Sequence, residues 1–174
     1  MSQDPHDHSG RSGTDHTWSG NLKLTSSAFS DGGEIPREYG YKNGNKVPPL
    51  TVSGIPEGTK SLALIMDDPD AKAAVGKVWV HWVVWNMLNL DGRLSTKRIC
   101  TWGTNSFNKL GYDGPAPPDK RHTYVFKLYA LDIFTDGAGN FLLDVEHGAS
   151  KADVEKAMEG HIIEQATLTG TYAP

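Results

Sequence analysis

Residues 61–66 constrain the fold of this chain most, because the segment is apolar on both of its faces. A strand with one face in solvent alternates apolar and polar residues, whereas a strand that is apolar on both faces belongs in the middle of a sheet. The acidic turn Asp67-Asp68-Pro69-Asp70 follows directly, and its proline cannot continue the hydrogen bonding of a central strand. The sequence therefore predicts a buried central strand that ends in a rigid turn with carboxylates.

Further strands are predicted from apolar residues and flanking turns at residues 22–26, 50–53, 78–87, 121–131 and 161–172. One short helix is predicted to begin at Ser150, where Asp153 completes a pattern that resembles a capping box, and to end at Gly160. The chain has many strands, few helices, long loops rich in glycine and proline, and no internal repeat. This combination predicts an all-β sandwich with small helices.

The composition bounds the domain organisation and the classes of partner. A chain of 174 residues has the size of a single domain, which we place at residues 22–174. Residues 1–21 are rich in serine, glycine, aspartate and histidine, and we interpret them as a disordered tail whose histidines imply no fixed metal geometry. No apolar run has the length of a membrane helix, so no transmembrane segment is expected. The net charge of -4 argues against a nucleic-acid partner.

The single cysteine, Cys100, excludes an internal disulfide and a zinc site built from cysteines. It also fits a reducing compartment, and because no basic segment followed by an apolar one is visible, we expect a cytoplasmic protein. No base stands beside Cys100 in the sequence, which favours a structural role for its thiol. The predicted domain lacks a histidine spacing typical of metal sites, so neither a metal nor another cofactor is predicted.

His81 is a candidate site residue because it lies in the strongly apolar strand at residues 78–87. Strict alternation predicts His81 on the face of Trp79 and Val83, opposite to Val80 and Trp82. A buried histidine needs a hydrogen-bond partner. His81 is therefore either a neutral core histidine bonded to the backbone or a member of a functional site.

His122 and Tyr124 are predicted on one face of the strand at residues 121–131, together with Phe126 and Leu128. They follow the loop at residues 111–118, whose glycines allow close approach of a ligand to the backbone. The prolines of that loop limit its freedom and would preorganise a bound shape. The loop is either a long connection only or a ligand-binding segment.

Together, the two strand histidines, the tyrosine, the acidic turn and the loop would form a small polar pocket. Histidine and tyrosine donors suit an anion such as a phosphate, whereas carboxylates suit an amine or fix a histidine tautomer. A zwitterion such as phosphoethanolamine matches both, although the acidic turn has the alternative interpretation of a solvated loop. The sequence contains no nucleophile elbow, phosphate-binding P-loop or dinucleotide fingerprint.

The same segments resemble the phosphatidylethanolamine-binding protein family, also called the Raf kinase inhibitor protein family, and in particular its bacterial and archaeal branch. The first motif is Leu-Ile-Met-Asp-Asp-Pro-Asp-Ala at residues 64–71, followed by Trp-Val-His-Trp at 79–82. The second is Gly-Tyr-Asp-Gly-Pro-Ala-Pro-Pro at 111–118, followed by His-Thr-Tyr-Val-Phe at 122–126. The endings at 160–163 and 168–172 are also similar to that branch, so the resemblance extends from residue 22 to residue 172.

The resemblance implies a central antiparallel β-sheet packed on a smaller sheet, with short peripheral helices and an anion-binding pocket at one end. Carried over residue by residue, it implies that the pocket is lined by Asp68, Asp70, Trp79, His81, Gly114, Pro115, His122 and Tyr124, with Asp67 beside them.

Several positions depart from the pattern of the family. Lys72 stands in place of a common proline, Thr123 in place of an arginine, and Ala116, in place of a cysteine, excludes thiol chemistry there. Lys120 replaces a glycine, which would change the loop if that glycine had positive φ. Lys120 and Arg121 border the expected pocket, where they either favour anions or form a solvated loop tip.

The resemblance leaves hypotheses of different classes. The first is a ligand-binding protein for a small anion or a phosphate-bearing head group. The second is a regulator or inhibitor of a kinase or protease that acts through surface contacts and leaves the pocket unused. A hydrolase that uses Asp68, Asp70 and His122 is disfavoured, because general acid–base catalysis lacks a dedicated nucleophile here. The bacterial branch also makes a homodimer an expectation.

Overall fold

A computed structural model of the chain describes residues 21–87, 91–94, 100–133 and 148–174. The predicted tail at residues 1–21 lies outside the described residues except for Asn21. Within the described residues, no helix combines the length and the apolar character that crossing a membrane requires.

The larger sheet has five antiparallel strands in the order β6-β4-β3-β7-β8. The strands are β3 (Ser61–Asp68), β4 (Trp79–Met87), β6 (Thr101–Trp102), β7 (His122–Leu131) and β8 (Ile162–Tyr172). Strand β3 lies in the middle of this sheet, and all of its residues are buried. The prediction of a central strand from its two apolar faces is therefore confirmed.

The smaller sheet has the strand order β1-β2-β5, formed by β1 (Lys23–Thr25), β2 (Thr51–Ser53) and β5 (Gly92–Arg93). Strands β1 and β2 each bury only their middle residue, Leu24 and Val52. These two side chains pack in one cluster with residues from one face of the larger sheet, including Leu64, Phe126 and Leu128. The two sheets therefore form a sandwich, and this face of the larger sheet is called the sandwich face below.

The opposite face of the larger sheet is covered by helix α2 (Lys151–Met158). Val154 and Met158 of this helix pack against a second cluster from the sheet that includes Ile65 and Val83. Ser150 and Asp153 form the predicted capping box, because each side chain accepts a hydrogen bond from the backbone N–H of the other. This second face is called the helix face below.

Two short helical segments lie at the periphery, a 3-10 helix at Arg37–Tyr39 and helix α1 (Ala71–Val75). Helix α1 begins directly after the acidic turn and ends at Gly76, whose φ of 86° is the left-handed conformation that glycine adopts without strain. The predicted fold class is confirmed: an antiparallel sheet packs on a smaller sheet, with few and short helices.

A β-bulge in β4 shifts the alternation of its side chains. Met66 pairs with Trp82, whereas the next residue, Asp67, pairs with Val80, so His81 is the extra residue of the bulge. Trp82 lies in the sandwich core, Val80 packs on the helix face, and the ring of His81 contacts Tyr124 on the sandwich face. The prediction that His81 shares a face with Val83 and lies opposite Trp82 is therefore wrong, because strict alternation does not allow for the extra residue.

Candidate functional site

A cavity of about 220 Å³ lies at the end of the larger sheet where β3 ends and β4 and β7 begin. Its apolar wall comes from helix α1, from Trp79 at the start of β4, and from the loops before β7. Its polar wall comes from Asp68, His81 and Tyr124. The complete lining is Asp68, Ala71, Val75, Trp79, His81, Phe107, Ala116, Pro118 and Tyr124.

A second, more open depression of about 500 Å³ lies between β1 and β8. Its lining includes no histidine, and its single carboxylate, Asp31, already accepts hydrogen bonds from the backbone N–H and the hydroxyl of Thr169. The smaller cavity therefore offers the richer chemistry, although the other depression is larger.

Asp68 is held in place by His122 at the back of the cavity. The Nδ1 atom of His122 lies 2.6 Å from Oδ2 of Asp68, and both side chains are almost completely buried. The other carboxylate oxygen of Asp68, Oδ1, is buried and has no hydrogen-bond partner among the described protein residues. Asp68 therefore presents one uncommitted oxygen at the polar wall.

His122 is bonded to a carboxylate through each of its ring nitrogens. Its Nε2 lies 2.7 Å from Oδ1 of Asp119, a half-exposed residue of the preceding loop. Burial lowers the pKa of His122, but the hydrogen bonds to Asp68 and Asp119 outweigh burial and raise it overall. Two carboxylate partners require two N–H donors, so the ring is an imidazolium in this arrangement. Asp119 was not among the predicted site residues, although it stands three residues before His122.

His81 is fixed by the loop that precedes β7. Its Nδ1 lies 2.7 Å from the backbone carbonyl oxygen of Asp113. A carbonyl oxygen only accepts, so Nδ1 carries the proton and the neutral ring has an acceptor at Nε2. Burial lowers the pKa of His81, against the opposing effect of this hydrogen bond and of the nearby Asp68 charge. His81 is therefore a core histidine bonded to the backbone, as one interpretation predicted, and it also lines the cavity.

Tyr124 is the third residue of the polar wall, to which it contributes its hydroxyl. The side chain is fully buried, and the hydroxyl has no hydrogen-bond partner among the described protein residues. Burial and the charge of Asp68 raise the pKa of Tyr124 far above its usual value, so the phenol stays protonated. The Tyr124 ring stands edge-on to His81, with 5.2 Å between the ring centroids.

Gly114 and Pro115 support the cavity from behind and are not part of its lining. The N–H of Gly114 donates to Oδ1 of Asn45, and the carbonyl of Pro115 accepts from the N–H of Tyr41. A Cβ atom on Gly114 would lie 1.9 Å from the carbonyl oxygen of Tyr39. Glycine is therefore required there by packing between two loops.

The carboxylate of Asp113 anchors this loop from inside the protein. Asp113 is buried and accepts hydrogen bonds from the amides of Asn45 and Asn105. The turn that carries Asn45 is tied in turn to the last strand. The hydroxyl of Tyr172 accepts from Nδ2 of Asn43 and donates to the carbonyl of Arg37.

The remaining acids of the predicted site have other roles. Oδ2 of Asp70 accepts from the backbone N–H of Thr123 and so links the start of α1 to β7, but Asp70 does not line the cavity. Asp67 points to the helix face, where its Oδ2 lies 3.4 Å from Nζ of Lys127 and 2.7 Å from Nζ of Lys151. Alternation along β3 thus separates Asp67 from Asp68, and the two carboxylates belong to different environments.

An aromatic wall bounds the cavity, and sequence reasoning missed its central member, Phe107. The Phe107 ring stacks on Tyr41 at 4.3 Å and meets Trp79 edge-on at 5.5 Å between centroids. The ammonium groups of Lys77 and Lys109 lie over the rings of Trp79 and Tyr41, respectively. Two positive charges therefore flank this wall.

Among the departures at the loop before β7, Ala116 lines the cavity, whereas Lys120 and Thr123 do not. Lys120 is exposed, has no positive φ and does not line the cavity. Arg121 pairs with Glu34 and with the hydroxyl of Thr171 at the surface. Of the two interpretations of these basic residues, the solvated loop tip describes their position.

Comparison with known proteins identifies the family. The family model described as phosphatidylethanolamine-binding protein matches residues 25–173. A UPF0098 protein of Methanothermobacter thermautotrophicus is 44% identical over 161 residues, which cover 87% of this chain and 98% of the relative.

Two solved structures extend the similarity. The phosphatidylethanolamine-binding protein homologue CT736 of Chlamydia trachomatis has a TM-score of 0.77 at 37% identity, covering 87% of this chain and 97% of its own. YbcL of E. coli, described as a member of the mammalian family, has a TM-score of 0.75 at 32% identity, covering 87% and 98%. The family model matches most of the domain, and the two solved structures share its fold. The chain therefore belongs to the phosphatidylethanolamine-binding protein family.

Proposed function

We propose that this protein binds a small ligand with a phosphate or carboxylate group in the cavity beside Asp68, His81 and Tyr124. Membership of the family supports a ligand-binding or regulatory role. A phosphoethanolamine head group fits the mixed polar wall, because its phosphate would accept a hydrogen bond from Tyr124. A group of the ligand that carries a proton, either the ammonium group or a phosphate hydroxyl, would donate to Asp68.

One observation carries this proposal: two buried polar atoms on the cavity wall, Oδ1 of Asp68 and the hydroxyl of Tyr124, have no hydrogen-bond partner among the described protein residues. Leaving a buried polar group without a partner costs about 1–3 kcal/mol, and more for a charged one. The surrounding groups are otherwise well satisfied, as His122 and Asp113 illustrate. Unsatisfied atoms that converge on one cavity therefore favour a ligand site over an accident of packing.

The charge around the cavity is consistent with a zwitterionic or anionic ligand. The ammonium groups over Trp79 and Tyr41 bring positive potential to the aromatic wall. The apolar wall, with Val75 and Phe107, would contact whatever chain or spacer is attached to the polar group. We expect binding of the head group rather than of a whole phospholipid, because a cavity of about 220 Å³ is small compared with typical ligand pockets.

The test is an NMR titration with phosphate, phosphoethanolamine and acetate that follows the imidazole and amide signals. We expect shifts at His81, Tyr124 and the loop before β7, and an affinity reduced about tenfold in Tyr124→Phe. Tyr129→Phe is the matched control, because Tyr129 lies on the same strand but packs on the helix face. A folded protein that shows no shifts at these residues with any of the three ligands would refute the proposal.

Binding is proposed in place of catalysis because the cavity wall offers no activated nucleophile. The raised pKa of Tyr124 keeps its hydroxyl protonated, and one oxygen of Asp68 is bonded to His122. A hydrolase would require the neutral His81 to act as a general base toward water. Turnover of phosphoesters or peptides that is abolished by His81→Ala would establish that alternative and displace ours.

The regulatory partner, the homodimer and the cytoplasmic location stay predictions. A kinase or protease inhibitor would act through a surface, so variants of the cavity separate this function from ligand binding. If Tyr124→Phe abolished ligand binding and left inhibition intact, the two functions would reside at different places.

A further inference from the structure

The polar wall of the cavity is rich in hydrogen-bond acceptors. Oδ1 of Asp68 is a carboxylate oxygen without a partner among the described protein residues. Nε2 of the neutral His81 also accepts, because Nδ1 holds the proton that is donated to Asp113. Among Asp68, His81 and Tyr124, which form this wall, only the hydroxyl of Tyr124 can donate a hydrogen bond to a ligand while His81 is neutral.

An oxyanion without protons leaves the acceptors of this wall without a donor. Every oxygen of a fully ionised tetrahedral anion is an acceptor, so it would compete with Asp68 for the one proton of Tyr124. The carboxylate of Asp68 and an oxygen of the anion, both acceptors, would then be buried next to each other without a proton between them. In a low-dielectric site such an unpaired charge is strongly unfavourable.

A proton on the ligand removes this conflict. A hydroxyl of a singly protonated phosphate would donate to Oδ1 of Asp68, while another of its oxygens would accept from Tyr124. Resting on the proposed function, we infer that this site selects oxyanions that carry a proton. Asp68 is the residue that recognises this proton, because its Oδ1 accepts a hydrogen bond from it. The site thus prefers hydrogen phosphates and singly ionised phosphate monoesters to sulfate, which has the same shape and no proton near neutral pH.

The groups around Asp68 support a fixed acceptor at this position. His122 on β7 carries a positive charge and holds Oδ2 of Asp68 by a hydrogen bond of 2.6 Å. Tyr124 on β7 and His81 on β4 are the other titratable neighbours across the cavity, and Asp119 and Asp113 are the acids of the adjacent loop. Asp119 is bonded to His122 and Asp113 to two asparagines. Neither Asp119 nor Asp113 therefore replaces Asp68 as the carboxylate acceptor on the cavity wall.

The test compares inorganic phosphate with sodium sulfate by calorimetry and NMR at about pH 7, where His81 is neutral. We expect phosphate to bind about tenfold or more tightly than sulfate. Methyl phosphate, a monoester, loses its last proton at its second ionisation, so its affinity should fall as the pH rises through that ionisation. Inorganic phosphate keeps one proton there and should still bind. Both measurements use the unaltered protein, so they do not depend on the folding of a variant.

Asp68→Asn then tests the residue itself. The introduced amide would place a donor where Asp68 has an acceptor, so we expect sulfate to bind about tenfold or more tightly than before and the preference for phosphate to disappear. Asp67→Asn is the matched control, because it changes the adjacent carboxylate on the helix face. It should leave the preference for phosphate unchanged.

The outcomes separate this inference from the function on which it rests. Equal binding of phosphate and sulfate at His81, Tyr124 and the loop would overturn proton selection and leave the binding function standing. Binding of ethanolamine without phosphate would also overturn it, because the donor to Asp68 would then be an ammonium group. Absence of binding by phosphate, phosphoethanolamine and acetate alike would overturn both.

Discussion

Nδ1 of His122 lies 2.6 Å from Oδ2 of Asp68, and neither side chain reaches solvent to a significant extent. Strands β3 and β7 are neighbours in the sheet, so the pair joins two strand ends at the cavity. A buried carboxylate is costly unless it is paired and hydrogen-bonded. His122 satisfies that need and leaves the second oxygen of Asp68 for the cavity.

Replacing His122 by phenylalanine tests the energetic importance of this pair. His122→Phe leaves Asp68 buried without its cation, and we expect it to lower the free energy of unfolding by about 3 kcal/mol or more in mildly acidic solution. The pKa of His122 is raised above 6.5 in the folded state. Its stabilising contribution is therefore complete below about pH 6.5 and declines as the pH rises through the folded value.

Chemical denaturation at a series of pH values measures this effect. His161→Phe is the matched control, because His161 forms a half-exposed pair with Asp132, and exposed pairs contribute little. If the loss in His122→Phe were the same at every pH, the raised pKa would not contribute to stability.

Asp119 contributes the second carboxylate on His122, and its removal should be visible in the titration of that ring. Asp119→Asn retains the size of the side chain but removes the charge that lies 2.7 Å from Nε2. We expect the pKa of His122 to fall, because one of the two carboxylates that favour the imidazolium is lost. NMR titration of the imidazole signals measures the change.

Glu159→Gln provides the comparison for Asp119→Asn, because Glu159 is exposed next to the end of α2, the helix that covers the opposite face of the sheet. It changes the net charge equally and should leave the pKa of His122 unaltered. An unchanged pKa in Asp119→Asn would mean that Asp68 alone determines the charge of His122.

Gly114→Ala tests the close contact between the loop before β7 and the segment at Tyr39. The added Cβ would lie 1.9 Å from the Tyr39 carbonyl oxygen, a backbone atom that cannot rotate away. We expect a loss of about 2 kcal/mol or more in stability and weaker phosphate binding, because the same loop fixes His81 through Asp113.

Thermal or chemical denaturation, together with the phosphate titration, measures both effects of Gly114→Ala. Gly160→Ala is the control, because Gly160 has a positive φ of 81° but open space around its Cβ position. That variant should lose about 1 kcal/mol and bind phosphate normally. Wild-type stability and binding in Gly114→Ala would show that the loop adjusts without cost.

The strands were predictable because their apolar patterns reflect burial directly. Strand β3 is apolar on both faces, since it lies between β4 and β7 with the small sheet on one side and α2 on the other. The capping box of α2 could also be predicted, because Ser150 and Asp153 are three residues apart in sequence. Local patterns thus predicted six of the strands and helix α2, but they did not predict the two-residue strands β5 and β6 or the five-residue helix α1.

The site was predictable only in part, because its geometry depends on contacts between distant segments. Nothing in the alternation around His81 reveals the bulge that brings it to the sandwich face. Phe107 reaches the cavity through a loop whose position is fixed by Asn105 and its hydrogen bonds to backbone N–H groups. The proximity of Asp68, His81, His122 and Tyr124 came from resemblance to a family, since the chemistry of the residues suggests a pocket without placing them together.

The bond between the Tyr172 hydroxyl and the Arg37 carbonyl joins residues 135 positions apart. The turn that it secures carries Asn45, which holds Asp113 and Gly114 behind the cavity. During synthesis on the ribosome, the early strands can pair while the last one is still inside the exit tunnel. The cavity lacks this support until residue 172 has emerged, so a nascent chain would pair its early strands before the loops behind the cavity are fixed.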